Sequence, residues 1–410
     1  MNWTPALRDF IVEHLNDDTA ALLLAAHRYQ GIDVPFAVEQ IEARKRLKTK
    51  LPEWYANADL IMGGRVPAEQ CSSEATARYK RSIIEGESLC DMTGGMGVDF
   101  WYMLEGMKRA IYTERNEELC EVAKHNFQVL KDERHPEAEV RCGDGQKLPI
   151  PTVDIIYLDP ARRAGDGSRV YAMEDCEPNI IDWQDELLQH AKMVLVKLSP
   201  MVDLTDVLRK LKSVTDIYVV GVKNECKEIL VKSTDTLCPE GHPFDGESHV
   251  GCVRVHCVDF LTDRTIEYTF DLSDEMGISV SNSGMKSYLY EPDVTLMKAQ
   301  AFGSLCQRFP VFQLDIETHL MTSDEFIADF PGRIFEVEEQ IVFSSKVMKR
   351  LKKEIPQANI ATRNFVMTAE ELQKRSGIKD GGEVYLFGAK VKDEGQMLLK
   401  CRKKVVPLSP

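Results

Sequence analysis

Six short β-prone runs separated by helical segments leave this chain few folds to choose from. They are LCDM (89–92), AIYTE (110–114), EVRC (139–142), DIIYL (154–158), MVLVKL (193–198) and IYVVGV (217–222). Strands that alternate with helices read as a parallel sheet with covering helices, because a parallel neighbour is reached only through a crossover connection. Ligands of such open sheets bind at the carboxyl ends of the strands. The residues that follow each run are therefore the first candidates for a site.

The segment LCDMTGGMGVDF sets Asp91, Thr93, Gly95 and Gly97 directly after the first run, in a D-x-x-x-G-x-G arrangement ahead of the apolar FWYMLEG. Glycines there let the backbone turn sharply and approach a ligand that a Cβ would exclude. Glu114 ends the second run, 23 residues beyond Asp91, where a carboxylate can accept from both hydroxyls of a ribose. Asp144, in CGDGQ after the third run, is placed to accept from an adenine amino group. The fourth run leads straight into Asp159-Pro160-Ala161-Arg162-Arg163. Each acid alone also suits a helix cap; the series points to a nucleotide. Phe100 stands where G-x-G-x-x-G would need its third glycine, which argues against a nicotinamide dehydrogenase.

The chain has 410 residues, of which 43% are hydrophobic, enough for several packed domains. The longest apolar stretch, AALLLAA (20–26), is far short of a membrane-spanning helix, and MNWTPALRDF lacks a basic start followed by an apolar run. Eleven cysteines without a C-x-x-C pair suit free thiols in a reducing compartment, so a cytoplasmic protein is expected. The net charge of −15 argues against indiscriminate coating of nucleic acid. Residues 341–410 are the exception, with 15 Lys and Arg against 7 Asp and Glu.

Residues 1–81 read as a helical N-terminal region, with Asp17 and Asp18 as cap signals. Its basic run ARKRLKTK (43–50) is expected to be a solvated helix face rather than a phosphate contact. EQCSSEATARYK (69–80) offers Ser72, Ser73 and Glu74 either as a helix start or as a cover for a cofactor. The cofactor domain is expected over 82–280, where ILVK, VRVHCVDF and TIEYTF either extend the sheet or form an antiparallel flap. The Ser- and Gly-rich SVSNSGMKSYLYEPD (279–293) marks a boundary, followed by a small α+β unit over 281–330 and a basic α/β module over 331–410. Cys238, His242, Cys252 and His256 form a C-x3-H…C-x3-H layout, but Arg254 on the same strand face opposes a cation, and no metal is expected.

The strand-end series resembles the class I S-adenosylmethionine-dependent methyltransferases, with motif I at Asp91 to Gly97, the ribose acid at Glu114, the adenine-side acid at Asp144 and motif IV at Asp159 to Arg162. Motif IV is similar to the D/N-P-P-Y/F element that holds exocyclic amines of bases, except that Ala161 and Arg162 replace its second proline and its aromatic residue. An Arg plane can stack on a base or grip a phosphate. DPARRAG also resembles the D-P-P-R-x-G element of RNA C5-uracil methyltransferases. Leu198 stands where those carry their nucleophilic cysteine, which argues against covalent C5 chemistry, and Ser199 either lines the pocket or forms a turn.

Together with VKLSP and a C-terminal IATRNF…DGGEVYLFG, the whole arrangement resembles a bacterial methyltransferase family that ends in a THUMP-like domain. That resemblance implies an α/β protein: a Rossmann-like methyltransferase domain, a helical N-terminal region and small ferredoxin-like and THUMP-like C-terminal domains. It implies S-adenosylmethionine as cofactor, held by Asp91, Thr93, Gly95, Gly97, Glu114 and Asp144. It implies catalytic roles for Asp159, Pro160 and Arg162, and RNA as partner, met by basic residues such as Lys349, Arg350, Lys352, Lys353, Arg363, Lys374 and Arg375. A methyltransferase for a protein or small molecule, and a non-catalytic RNA- or cofactor-binding protein, are the two alternatives at this point.

Overall fold

The computed structural model describes residues 3–162, 173–234, 253–275 and 281–405; Arg163, Cys238, His242 and Cys252 lie outside them, as does the side chain of Arg162. The chain divides into two units, Met1–Thr215 with Leu230–His242, and Asp216–Ile229 with Pro243–Pro410.

The first unit opens with α1 (Pro5–Glu13), α2 (Thr19–Leu24), α3 (Val34–Leu47), α4 (Pro52–Ala56), α5 (Arg65–Gln70) and α6 (Glu74–Ser82). Side-chain oxygens of Thr4, Asp18, Asp33 and Ser73 accept from the first-turn amides of α1, α2, α3 and α6, so these helices start where the sequence supplies a cap. Leu7, Phe10, Ile11, Leu22, Val34, Val38 and Ile41 form a shared core. The basic run at 43–50 is for the most part the solvated face expected of it, with Lys45, Arg46 and Lys48 exposed; Arg44 is the exception. Arg44 is buried and donates to the carbonyls of Asn57, Ala58 and Leu60. Arg46 pairs with Glu69 at 2.6 Å, and Lys50 donates to the Glu69 carbonyl at 2.8 Å. Burial lowers the Arg44 guanidinium to about 10; it acts as an internal clamp for the loop around Asn57 to Leu60.

The strand–helix alternation follows: β1 (Ser88–Asp91), α7 (Val98–Met103), β2 (Arg109–Glu114), α8 (Glu117–Leu130), β3 (Ala138–Cys142), β4 (Val153–Leu158), β5 (Ala161–Arg162), β6 (Cys176–Glu177), α9 (Ile180–His190), β7 (Ala191–Leu198) and α10 (Leu204–Lys210). Five of these strands run parallel in the order β7-β4-β1-β2-β3, a Rossmann-like sheet. Leu89, Cys90, Ile155, Ile156 and Leu195 are fully buried, as expected for strands covered on both faces. The chain lays β2 and β3 on one side of β1, then returns to lay β4 on the other. This reversal opens a crevice at the carboxyl ends of β1 and β4.

β8 (Val214–Val222) turns into β9 (Cys226–Thr234) through Lys223 and Asn224, both at positive φ (55° and 61°), the two-residue geometry that matches strand twist. β10 (Arg254–Phe260) lies parallel to β8, and β11 (Thr265–Asp271) folds back antiparallel on β10. His256 is occupied within this sheet: its Nε2 is 3.0 Å from Asp216, its Nδ1 3.1 Å from Thr269, and its ring stacks on Tyr218.

The remaining elements are β12 (Tyr288–Pro292), α11 (Val294–Ala299), α12 (Phe302–Arg308), β13 (Phe312–Gln313), β14 (Met321–Ser323), β15 (Gly332–Val342), α13 (Ser345–Glu354), β16 (Asn359–Arg363), α14 (Ala369–Ser376), β17 (Val384–Val391) and β18 (Gly395–Lys404). The segments read as separate units over 281–330 and 331–410 share one seven-stranded sheet, in the order β13-β14-β12-β15-β18-β17-β16. Glu291 of β12 is buried between Arg333 and Arg363, the latter at 2.8 Å, so Arg363 is committed to an internal ion pair rather than turned to a phosphate.

Asp259 in β10 and Asp293, ahead of α11, are both buried side by side, and Oδ1 of Asp259 finds no donor among the described residues. Burial, with the adjacent Asp293 carboxyl, raises Asp259 to about 7. A carboxyl raised from its ordinary 3.8 contributes stability that is complete below that value and is lost as pH rises through about 7. Asp259→Asn supplies a permanent donor to Asp293. Thermal unfolding of this variant is expected to lose less stability than the parent between pH 4 and 8, with a higher Tm above neutrality; each kcal/mol gained corresponds to roughly 2–4 °C.

Candidate active site

At the end of β1 the backbone enters the glycine loop, and two hydrogen bonds decide its course. The Thr93 amide donates to Oδ1 of Asp91 at 2.9 Å, and the Gly95 amide donates to Oε2 of Glu114 at 2.8 Å. Oε1 of Glu114 accepts from the Asn116 amide at 2.8 Å, so this carboxylate joins the first loop to the second. Asp91 is buried under the loop, where desolvation raises its carboxyl well above the usual carboxylate range.

The two glycines at 95 and 97 differ in what lies behind them. Gly97 has φ +79°, and a Cβ there would come within 2.7 Å of the Phe127 ring; it lets the loop close against α8 and start α7. Gly95 has φ +56° and faces open space, its nearest prospective neighbour being the Thr93 carbonyl at 3.8 Å. The open side of the loop is thus at Gly95, and Gly97 belongs to its packed side.

Glu114 and Asp144 are both partly exposed on neighbouring strand ends. Asp144 accepts from the Gln146 amide at 3.1 Å and pairs with Lys147 at 3.0 Å, which holds its carboxyl below the ordinary value. An ionised carboxylate offers about four acceptor sites. Glu114 therefore retains capacity for hydroxyl donors beyond the two amides it holds, as the ribose of a nucleoside would require.

Asp159 follows β4 across the crevice. Its amide donates to Oγ1 of Thr93 at 2.6 Å, so the hydroxyl of Thr93 ties the glycine loop to the end of β4. Asp159 and Pro160 then lead into β5. The Asp159 side chain is 40% exposed, and its Oδ2 accepts from Lys197 at 2.6 Å. Ser199, by contrast, accepts from the Met201 amide at 3.3 Å in the turn after β7, and Leu198 is buried.

Behind Asp159 lies a charge network that the sequence reading does not anticipate. Lys197 is also 3.4 Å from Oδ2 of Asp99 and 3.1 Å from Oγ of Ser72. Lys80, at 0% exposure, is 3.1 Å from Oδ1 of Asp99. Oδ2 of Asp99 further accepts from Ser72 at 2.7 Å and from the Tyr157 hydroxyl at 2.8 Å. Burial works against ionisation of Asp99, but the ammoniums of Lys80 and Lys197 and the two hydroxyl donors outweigh it and hold the group below the usual carboxylate range. Ser72 of EQCSSEATARYK is therefore turned inward to Asp99, while Ser73 caps α6. Local patterns could not reveal this: the segment that holds Ser72 and Lys80 meets Asp99, Tyr157 and Lys197 from three other places in the chain.

A THUMP domain-like family model matches residues 332–403, and a ferredoxin-like domain model matches residues 288–331. A Porphyromonas gingivalis W83 protein described as a methyltransferase is 35% identical, and its crystal structure covers 99% of this chain and 100% of its own with a TM-score of 0.87. Uncharacterized S-adenosylmethionine-dependent methyltransferases from two strains of Mycobacterium tuberculosis are each 22% identical over 349 residues, 84% of this chain and 89% of theirs. Among the described residues no helix is long and apolar enough to cross a membrane.

Breaking a buried ion pair on one side leaves a charge without compensation, which costs about 3–5 kcal/mol. Lys80→Met removes one of the two ammoniums that face Asp99 and leaves Lys197, so urea unfolding is expected to show a loss toward the low end of that range. The double change Lys80→Met, Asp99→Leu should recover much of it, because no lone buried charge remains.

Proposed function

Because the chain belongs to the class I S-adenosylmethionine-dependent methyltransferases that end in ferredoxin-like and THUMP-like domains, we propose that its methyl acceptor is RNA, and that it methylates a base without the covalent chemistry used at C5 of uracil. The cofactor, S-adenosylmethionine, supplies an activated methyl group. The open loop at Gly95, the Glu114 carboxylate and Asp144 would hold its successive parts, with Asp91, Thr93 and Gly97 fixing the loop from behind. Asp159 would accept a hydrogen bond from the acceptor group at the mouth of the crevice, where positioning accounts for most of the rate. Pro160 would stiffen the turn that carries Asp159, and Arg162 would grip the base or a phosphate.

The observation that carries the RNA reading is the surface of α13 and α14. Val347, Leu351 and Leu372 face inward, which leaves Lys346, Lys349, Arg350, Lys352, Lys353, Lys374 and Arg375 exposed on two helices in contact with each other. Of these seven, only Arg350 has an ion-pair partner among the described residues, Glu354. A concentrated, largely uncompensated basic face on a THUMP-like module suits a phosphate backbone. It has no comparable use in methylating a small molecule.

The direct test incubates the protein with labelled S-adenosylmethionine and total RNA from cells that lack it, followed by nucleoside analysis. Label is expected in one modified nucleoside; label in protein instead removes the RNA reading. Asp159→Ala should slow transfer about 100-fold or more with cofactor affinity by calorimetry unchanged; lost affinity would contradict its assigned role. Changing Lys349, Lys353, Lys374 and Arg375 to Gln should weaken RNA binding and flatten its salt dependence by roughly 0.7 in log–log slope for each phosphate contact removed.

A further inference from the structure

The crevice ends in an alternating row of charges, Lys80–Asp99–Lys197–Asp159, that begins in α6 and passes through α7 and β7 to the end of β4. Exposure rises along the row, from 0% at Lys80 through 9% at Asp99 and 13% at Lys197 to 40% at Asp159. Three members are withdrawn from water, and the fourth meets the crevice. Stability gives little reason for such an arrangement, since well-packed apolar groups usually serve a core as well as a buried ion pair. Its distinguishing product is direction.

Two contacts define how Asp159 stands. Its amide is fixed on the Thr93 hydroxyl, and its Oδ2 is fixed on Lys197. Oδ1 has no hydrogen-bond partner among the described residues. A carboxylate tied at one oxygen and at its own backbone has one orientation left, with the second oxygen presented to a ligand. Lys197, in turn, has little freedom, because Asp99 and Ser72 hold the opposite side of its ammonium.

We propose that Lys197 is a positioning residue for methyl transfer: it anchors Oδ2 of Asp159 so that Oδ1 accepts the hydrogen bond of the incoming acceptor group, and Asp99, Lys80 and Ser72 keep Lys197 in place. The proposal rests on the role given to Asp159 above. It also gives the N-terminal segment EQCSSEATARYK a function, since Ser72 and Lys80 are the far end of the support. Thr93 completes the arrangement from the glycine loop, so the same loop that faces the cofactor also sets the backbone of the residue that faces the acceptor.

The test compares full-length Lys197→Met and Lys197→Arg with the parent protein. Crystal structures of the variants are expected to show the Asp159 carboxylate turned away in Lys197→Met, with its amide still on Thr93, and restored in Lys197→Arg. At saturating cofactor, label transfer by Lys197→Met should fall about 100-fold, the loss that accompanies misplacement of a reacting partner. Affinity for S-adenosylhomocysteine by calorimetry should stay within about twofold, and Lys197→Arg should recover a tenth or more of the parent rate. The inference is overturned if the carboxylate keeps its place in Lys197→Met, if the rate is unchanged, or if rate, cofactor affinity and Tm decline together without rescue by Arg. Should the parent protein label something other than RNA, the RNA reading fails alone; rates are then taken with that acceptor, and the crystallographic comparison decides on Lys197 as before.

Discussion

The adjacency of β1 and β4 is the constraint from which the rest of the crevice follows. Had the chain continued outward from β3, the glycine loop and Asp159 would sit at distant places along the sheet. The return across β1 instead brings the loop and the end of β4 within one hydrogen bond of each other, the 2.6 Å contact between the Asp159 amide and Thr93. The parallel register that makes this possible depends on strands buried on both faces. The apolar run Ile155 to Leu158 in β4 is the sequence form of that requirement.

Charge inside this unit is arranged by the same economy of contacts. Asp91 is buried without a cation and moves toward the neutral form; Asp99 is buried between two lysines and stays ionised. Two aspartates eight residues apart thus have opposite electrostatic characters, one supporting a backbone turn and the other organising ammonium groups. The difference comes from α6 and β7, which bring Lys80 and Lys197 to one and not to the other.

Much of the architecture was legible because it rests on local periodicity. The runs from Leu89 to Val222 all became strands, and the acidic landmarks Glu114, Asp144 and Asp159 all fall at strand ends along one edge. Motif spacing alone gave each residue a place, but not a direction: Gly95 and Gly97 look equivalent in G-x-G, yet one faces open space and the other the Phe127 ring. Side chains whose partners are far along the chain were the least legible. Arg44 and Arg363 read as surface cations from their neighbours, but carbonyls near Leu60 and the buried Glu291 claim them. Lys197 belongs with them, because nothing in VKLSP announces Asp99 or Asp159.

The seven-stranded sheet of the C-terminal region has a bearing on how it handles a ligand. Five consecutive residues of β12, Tyr288 to Pro292, pair with Gly332 to Glu336 of β15, and the buried Glu291 clasps arginines from β15 and β16. The ferredoxin-like and THUMP-like matches are therefore two parts of one continuous sheet, not beads on a string. A load on α13 and α14 would pass into β12 through its pairing with β15 and through the Glu291 ion pairs. Severing the chain near residue 330 would leave each half with a raw sheet edge, the kind of surface that seeks a partner by aggregation.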